Sequence, residues 1–227
     1  MTNFVLVHGS YQGGWIWQKV ADRLHAAGHR VYHPSLDGCG ERKITLRPGI
    51  TTESHADEIA QLLFYEDLQD TVIVGTSSGG MVALRAAELM RERVGRIVLV
   101  DALALLNGEK IGDIVTRSTS VAIPGGLSRG PTPENAFPDL GPDIRPWAVE
   151  RYTPHPIGIY EHPVKLDSFW SQPWKASVIW CRRAQNPGEA HQRRAAERLG
   201  ATWAELDTGH YPMLSMPDEL TQLLSAA

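Results

Sequence analysis

The chain has 227 residues, 42% of them hydrophobic and 21% charged, which suits one soluble α/β domain with a substantial core. A net charge of −4 with no basic run argues against nucleic acid as a partner. No apolar stretch approaches the roughly 18 residues needed to span a membrane, and no basic region precedes the first short apolar run, so neither a span nor a secretory leader is expected. Cys39 and Cys181 lack metal-type spacing and read as reduced thiols of a cytoplasmic protein.

The first predicted strand, Phe4–Val7, runs directly into His8-Gly9-Ser10. A helix over Trp15–Ala27 follows, with Trp17, Val20, Ala21 and Leu24 on one face. A strand at Arg30–His33 and a helix at Ser54–Leu63 lead to the strand Thr71–Val74. That strand enters Gly75-Thr76-Ser77-Ser78-Gly79, and an Ala-rich helix, Gly79–Arg91, continues from it. Strand, Gly-x-Ser-x-Gly and helix in that order form a nucleophile elbow, whose tight turn exposes the serine above the strand end at a helix N-terminus.

Beyond the elbow come a strand at Arg96–Val100, then strands at Ser177–Cys181 and Thr202–Leu206, separated by a helix at Glu189–Leu199. A last helix spans Asp218–Leu224, started by Pro217. Alternating strands and helices predict about six mostly parallel strands with helices on both faces, a doubly wound α/β sheet. Residues 1–102 and 174–227 form this core. The stretch 103–173 breaks the rhythm: it is dense in Pro and Gly yet carries Phe137, Trp147, Tyr152, Tyr160, Phe169 and Trp170. Disordered linkers are poor in aromatics, so this segment is expected to fold over the carboxyl edges of the strands as a small lid.

Ser77 needs a base, an acid to orient that base, and donors for an oxyanion. His210, in the Gly-His loop between the last strand and the last helix, occupies the position of the base in the chain order Ser…acid…His. The acid is less directly placed. The loop after the penultimate strand, Arg182-Arg183-Ala184-Gln185-Asn186-Pro187, contains no carboxylate before Glu189. Asp101, at the carboxyl end of the strand beside the nucleophile's, is the favoured orienter, with Glu189 as the alternative. The main-chain N–H groups of Ser10 and Ser78 are the expected oxyanion donors, while His8 reads as a structural histidine bonded to nearby backbone. Trp147, Tyr152, Trp170 and Met213 are candidate pocket walls.

His8-Gly9 followed by Gly13-Gly14-Trp15-Ile16-Trp17, then Asp37-Gly38-Cys39-Gly40-Glu41-Arg42, Pro48-Gly49-Ile50, the elbow, Leu99-Val100-Asp101-Ala102 and Asp207-Thr208-Gly209-His210 together resemble a group of α/β-hydrolases. The group includes small bacterial carboxylesterases that hydrolyse pyrethroids or carbamate fungicides. Plant methyl-ester esterases and hydroxynitrile lyases are more distant members. The resemblance covers nearly the whole chain and implies a serine esterase acting on a small-molecule ester through an acyl-serine, with a short lid and no cofactor. The chain departs from the pattern at Thr76 and Ser78, where relatives often carry His and Tyr. It departs again at Lys43 after Gly-Glu-Arg, and in the acid missing after the penultimate strand.

Two other readings differ in class. A hydroxynitrile-lyase-like activity is disfavoured because those relatives carry Lys beside the catalytic histidine, where this chain has Tyr211. A non-catalytic ligand-binding module on the same fold would have no need of both Ser77 and His210. The lid aromatics could serve a homodimer contact as well as a pocket.

Overall fold

The β-branched runs become the strands of one parallel sheet. The computed structural model describes residues 1–115, 120–122, 128–131 and 136–226. In chain order the elements are β1 (Asn3–Val7), α1 (Gln18–Ala26), β2 (Arg30–Tyr32), α2 (Thr52–Tyr65), β3 (Thr71–Ser77), α3 (Gly79–Leu89) and β4 (Val94–Ala102). The segment that follows holds α4 (Ile111–Ile114), β5 (Ser120–Ala122), β6 (Ser128–Pro131), α5 (Arg145–Glu150), β7 (His155–Pro156) and α6 (Gly158–Glu161). The chain then closes with β8 (Ala176–Cys181), α7 (Glu189–Leu199), β9 (Thr202–Leu206), α8 (Pro212–Ser215) and α9 (Pro217–Ala226).

The main sheet has the order β2-β1-β3-β4-β8-β9, and every pairing in it is parallel. Strand residues alternate between two apolar layers, as the two-residue period of a strand requires. Val5, Val7, Ile73, Ile97 and Leu99 pack on the side of α2, α3 and α7. Phe4, Leu6, Val72, Val74, Val98 and Val100 pack on the side of α1, α8 and α9. Burial on both faces explains why β3 reads as a near-continuous apolar run. Strand order reverses between β1 and β3, and ligands of such sheets bind beyond the carboxyl ends of the strands at that point. Those ends carry His8-Gly9-Ser10 and Ser77.

Three details differ from the sequence-based expectation. The helix expected from Trp15 begins as a 3-10 turn, Gly14–Trp17, before α1. The helix after the elbow stops at Leu89, and a second 3-10 turn covers Arg91–Arg93. Between β4 and β8 lies an unforeseen antiparallel sheet, β5-β6-β7. This inserted segment is footed in both apolar layers. Leu103, Leu105, Val164, Leu166 and Phe169 join the α3 side, and Ala136, Phe137, Leu140 and Ala148 join the α1 side. Among the described residues no helix is long and apolar enough to cross a membrane.

Candidate active site

Ser77 ends β3 with φ +51°, a left-handed conformation that costs a non-glycine residue about 1–3 kcal/mol and persists only where its surroundings enforce it. The enforcement comes from close packing around the turn. A Cβ on Gly75 would stand 2.7 Å from the Gly79 oxygen and the Gly80 Cα, and one on Gly79 would stand 2.4 Å from the His8 oxygen. Ser77 also accepts a hydrogen bond on its carbonyl from the Leu103 N–H at 2.8 Å, which ties the elbow to the end of β4. Ser78 is the N-cap of α3, where backbone N–H groups lack intrahelical acceptors and the helix dipole favours negative charge.

The loop after β1 closes on the elbow from the other side. A Cβ on Gly9 would lie 2.5 Å from the Ser77 Cβ, and the Ser10 and Ser78 hydroxyls are hydrogen-bonded at 2.8 Å. Within this loop Gly9 N–H donates to Gln12 Oε1 at 3.1 Å. His8 Nδ1–H donates to the Gly9 carbonyl at 2.8 Å, and its Nε2 accepts from the Leu36 N–H at 3.0 Å. Burial lowers the His8 pKa to about 4, so the ring is a neutral structural bridge.

The Asp37–Arg42 motif braces the same loop. Gly14 N–H donates to Ser35 Oγ at 2.7 Å, and Ser35 Oγ–H donates to Glu41 Oε2 at 2.6 Å. Arg42 donates to the Ser35 carbonyl at 3.0 Å and to Glu58 on α2 at 2.6 Å. Buried Asp37 accepts from Thr45 and Arg47 and, against the penalty of its burial, is held below the usual carboxylate range by those bonds.

Of the two candidate acids, Asp101 reaches the histidine: His210 Nδ1–H donates to Asp101 Oδ2 at 2.5 Å. Glu189 instead receives two 3.2 Å bonds from Arg193 at the start of α7. The register explains how a strand residue gets there. Thr76 pairs with Val100 and Ser77 with Ala102, so Asp101 is the extra residue of a β-bulge, with φ +45° and no exposed surface. A bulge turns its side chain away from the ladder's ordinary alternation. Asp207, close to His210 in sequence, lies against Arg182 at 3.5 Å and Arg183 at 3.4 Å. Burial opposes a charge on His210, but the Asp101 hydrogen bond and charge outweigh it, with Asp139 adding to them, and the pKa is raised above its ordinary value.

Three of the four expected pocket walls pack in the apolar layer on the α1 side of the sheet, Tyr152 and Trp147 among its aromatic rings. Tyr152 stacks on Tyr11 with ring centres 5.1 Å apart, Trp147 meets Trp15 edge-on at 5.3 Å, and Met213 is fully buried in the same apolar layer. Trp170 is not part of it. Its indole donates to the Leu105 carbonyl at 3.1 Å and packs in the α3-side layer, because the chain there crosses to the opposite face. Two residues near His210 are not among the expected site residues: Phe137 reads in the sequence only as one of the lid aromatics, and Asp139 does not stand out at all. Phe137 meets Tyr211 edge-on at 4.8 Å, and the Asp139 carboxylate accepts the His210 main-chain N–H at 2.8 Å. Both lie about seventy residues away in a stretch without periodicity, and only the folded chain brings them here.

The elbow, the switch-point position and the Asp101–His210 pair agree with a match to the model of the alpha/beta hydrolase family over residues 4–223. The chain belongs to this family. It is 28% identical over 241 residues to the carbendazim hydrolyzing esterase of Nocardioides sp. (strain SG-4G), covering 100% of this chain and 99% of that one. It is 38% identical over 104 residues to methylesterase 1 of Arabidopsis thaliana, covering 44% of this chain and 39% of the relative. Among solved structures, an extracellular alpha/beta-hydrolase from a Paenibacillus species superposes with a TM-score of 0.81 at 21% identity, covering 100% of this chain and 99% of the other. A pyrethroid hydrolase from Sphingobium faniae JZ-2 gives 0.77 at 17% identity, covering 99% and 96%. This alpha/beta hydrolase thus shares its whole length with an esterase.

Proposed function

We propose that this alpha/beta hydrolase is a serine esterase that cleaves a small carboxylic ester or carbamate ester through an acyl-serine. Ester hydrolysis is the activity of its full-length esterase relative and of its plant methylesterase relatives by name. The observation that carries the reading is the 2.5 Å bond between Asp101 and His210. With Nδ1–H held by the carboxylate, Nε2 is left free to accept the Ser77 proton.

Ser77 Oγ then attacks the ester carbonyl, and the negative charge that develops on its oxygen meets the main-chain N–H groups of Ser10 and Ser78. Donors of this kind contribute about 3 kcal/mol each to the transition state. His210 passes its proton to the leaving alkoxide, leaving an acyl-serine. Water, deprotonated by the same ring, releases the acid, and Asp101 steadies the imidazolium in both halves.

Residues 103–173 act as a cap over residues 1–102 and 174–227, supplying Trp147 and Tyr152 to the pocket, with fully buried Met213 in the apolar layer behind them. The buried, unpaired Cys39 and Cys181 suit a reducing, cytoplasmic setting. The test is Ser77→Ala assayed with p-nitrophenyl acetate, where loss of turnover is expected and retained turnover overturns the assignment. A panel of methyl esters, aryl esters, lactones and carbamates at equal concentration then defines the substrate.

A further inference from the structure

We propose that Asp139 is a positioning residue for His210: a carboxylate from the inserted segment that fixes the main chain of the catalytic base while Asp101 fixes its ring. The proposal rests on the serine-esterase reading given above. His210 sits in a loop between β9 and α8, where no strand or helix carbonyl among the described residues accepts from its N–H. Asp139 Oδ2 accepts from it at 2.8 Å.

Gly209 makes the approach possible. A Cβ there would stand 2.3 Å from the Asp139 Cβ and 2.5 Å from its carboxylate, closer than real atoms approach. An apolar contact anchors the same turn. Phe137, at φ +50° and buried, packs its ring edge-on against Tyr211, and the Leu140 N–H closes the turn on the Phe137 carbonyl at 3.2 Å. The residues on either side of the Gly209–His210 peptide and the ring that follows it are thus all gripped by one turn of the inserted segment. His210 is held at two points, its ring Nδ1 by β4 and its main-chain N–H by this turn, and anchoring the backbone as well as the ring leaves the imidazole less room to swing than the Asp101 bond alone.

Charge acts in the same direction. The acidic groups facing His210 are Asp101 and Asp139, and both favour its protonated form. Tyr211 and Cys181, which sense the same two carboxylates, are pushed up by burial and stay neutral. Asp139 is itself exposed, so its bond to the peptide carries more of the effect than its screened charge.

The test compares Asp139→Ala with Asp139→Asn, Ser77→Ala and His210→Ala run alongside. Asp139→Ala should lower kcat on p-nitrophenyl acetate about tenfold or more with KM changed less than about threefold, since a lost net hydrogen bond is of that size. Asp139→Asn keeps an oxygen that can accept from the His210 peptide. It should recover most of kcat while moving the acid limb of Ser77 labelling by a fluorophosphonate to lower pH. Wild-type kcat and labelling profile in Asp139→Ala would overturn the proposal. So would a lowered melting temperature in both variants with equal losses of kcat, which marks a merely structural contact. If Ser77→Ala itself retains turnover, the serine-esterase reading fails first; if Ser77→Ala and His210→Ala are inactive while Asp139→Ala is not, only the role of Asp139 fails.

Discussion

Asp101 and His210 are 109 residues apart in the chain and joined by a 2.5 Å hydrogen bond, and the strand that delivers Asp101 is the immediate ladder partner of the one that delivers Ser77. Asp101→Asn should leave the fold intact but favour the wrong tautomer of His210. The loss in kcat is expected on the order of 10³–10⁴-fold, as for removal of an orienting carboxylate elsewhere. Glu189→Gln should leave kcat unchanged, because that carboxylate is engaged with Arg193. Steady-state kinetics of the two variants side by side check both statements.

The pH profile follows from the His210 environment. As the proposed base, His210 works only when neutral, and its pKa is raised above the ordinary value because the Asp101 bond and charge outweigh the burial that opposes them. Activity should therefore fall as pH drops through a midpoint above 6.5, read from kcat/KM of the free enzyme. In Asp101→Asn the midpoint should move down.

Stability has a separate acid dependence. Burial lowers the pKa of His8, His55 and His191 to about 4, and that of His155 well below 6.5. Between pH 6.5 and about 4 the unfolded chain takes up protons that these folded histidines refuse, so stability falls as pH falls through that window. His210 works the other way, its raised pKa adding stability at low pH, but it is one group against four. Urea midpoints measured across the window should decline, and less steeply in His55→Gln, whose amide can still donate to the Asp37 carbonyl that His55 Nε2–H meets at 2.9 Å.

The proposed oxyanion donors are main-chain groups, which separates them from the hydroxyls beside them. Ser10→Ala and Ser78→Ala break the 2.8 Å bond between the two side chains but keep both N–H groups. Each should retain kcat/KM on p-nitrophenyl acetate within about fivefold, the scale of one partly exposed hydrogen bond and well short of losing an oxyanion donor. A loss of a hundredfold in either variant would give the hydroxyl a direct part in the reaction.

The sheet was legible because both of its faces are buried. Runs such as Thr71-Val72-Ile73-Val74 have few other states open to them, and the elbow is marked by glycines that close packing demands. The inserted segment was less legible. Its Pro and Gly hide the short β5-β6-β7 sheet, and Trp170 crosses to the far layer under the pull of contacts remote in sequence. Asp101 could be suspected from its strand end, but the bulge that turns it arises from pairing with β3. Asp139 left no trace, since its partner is a peptide group that every residue possesses.

Placing the proposed acid in a bulge of β4 makes its distance from Ser77 a property of the sheet. Ser77 and Asp101 are set by the spacing of two paired strands, about 4.8 Å, and not by the conformation of a loop. With Asp101 as the proposed acid, the turn after β8, whose arginines hold Asp207, needs to supply no catalytic group. Changes of length or composition there leave the pairing of β3 with β4 in place, whereas a one-residue slip between those two strands would separate Ser77 and Asp101 at once.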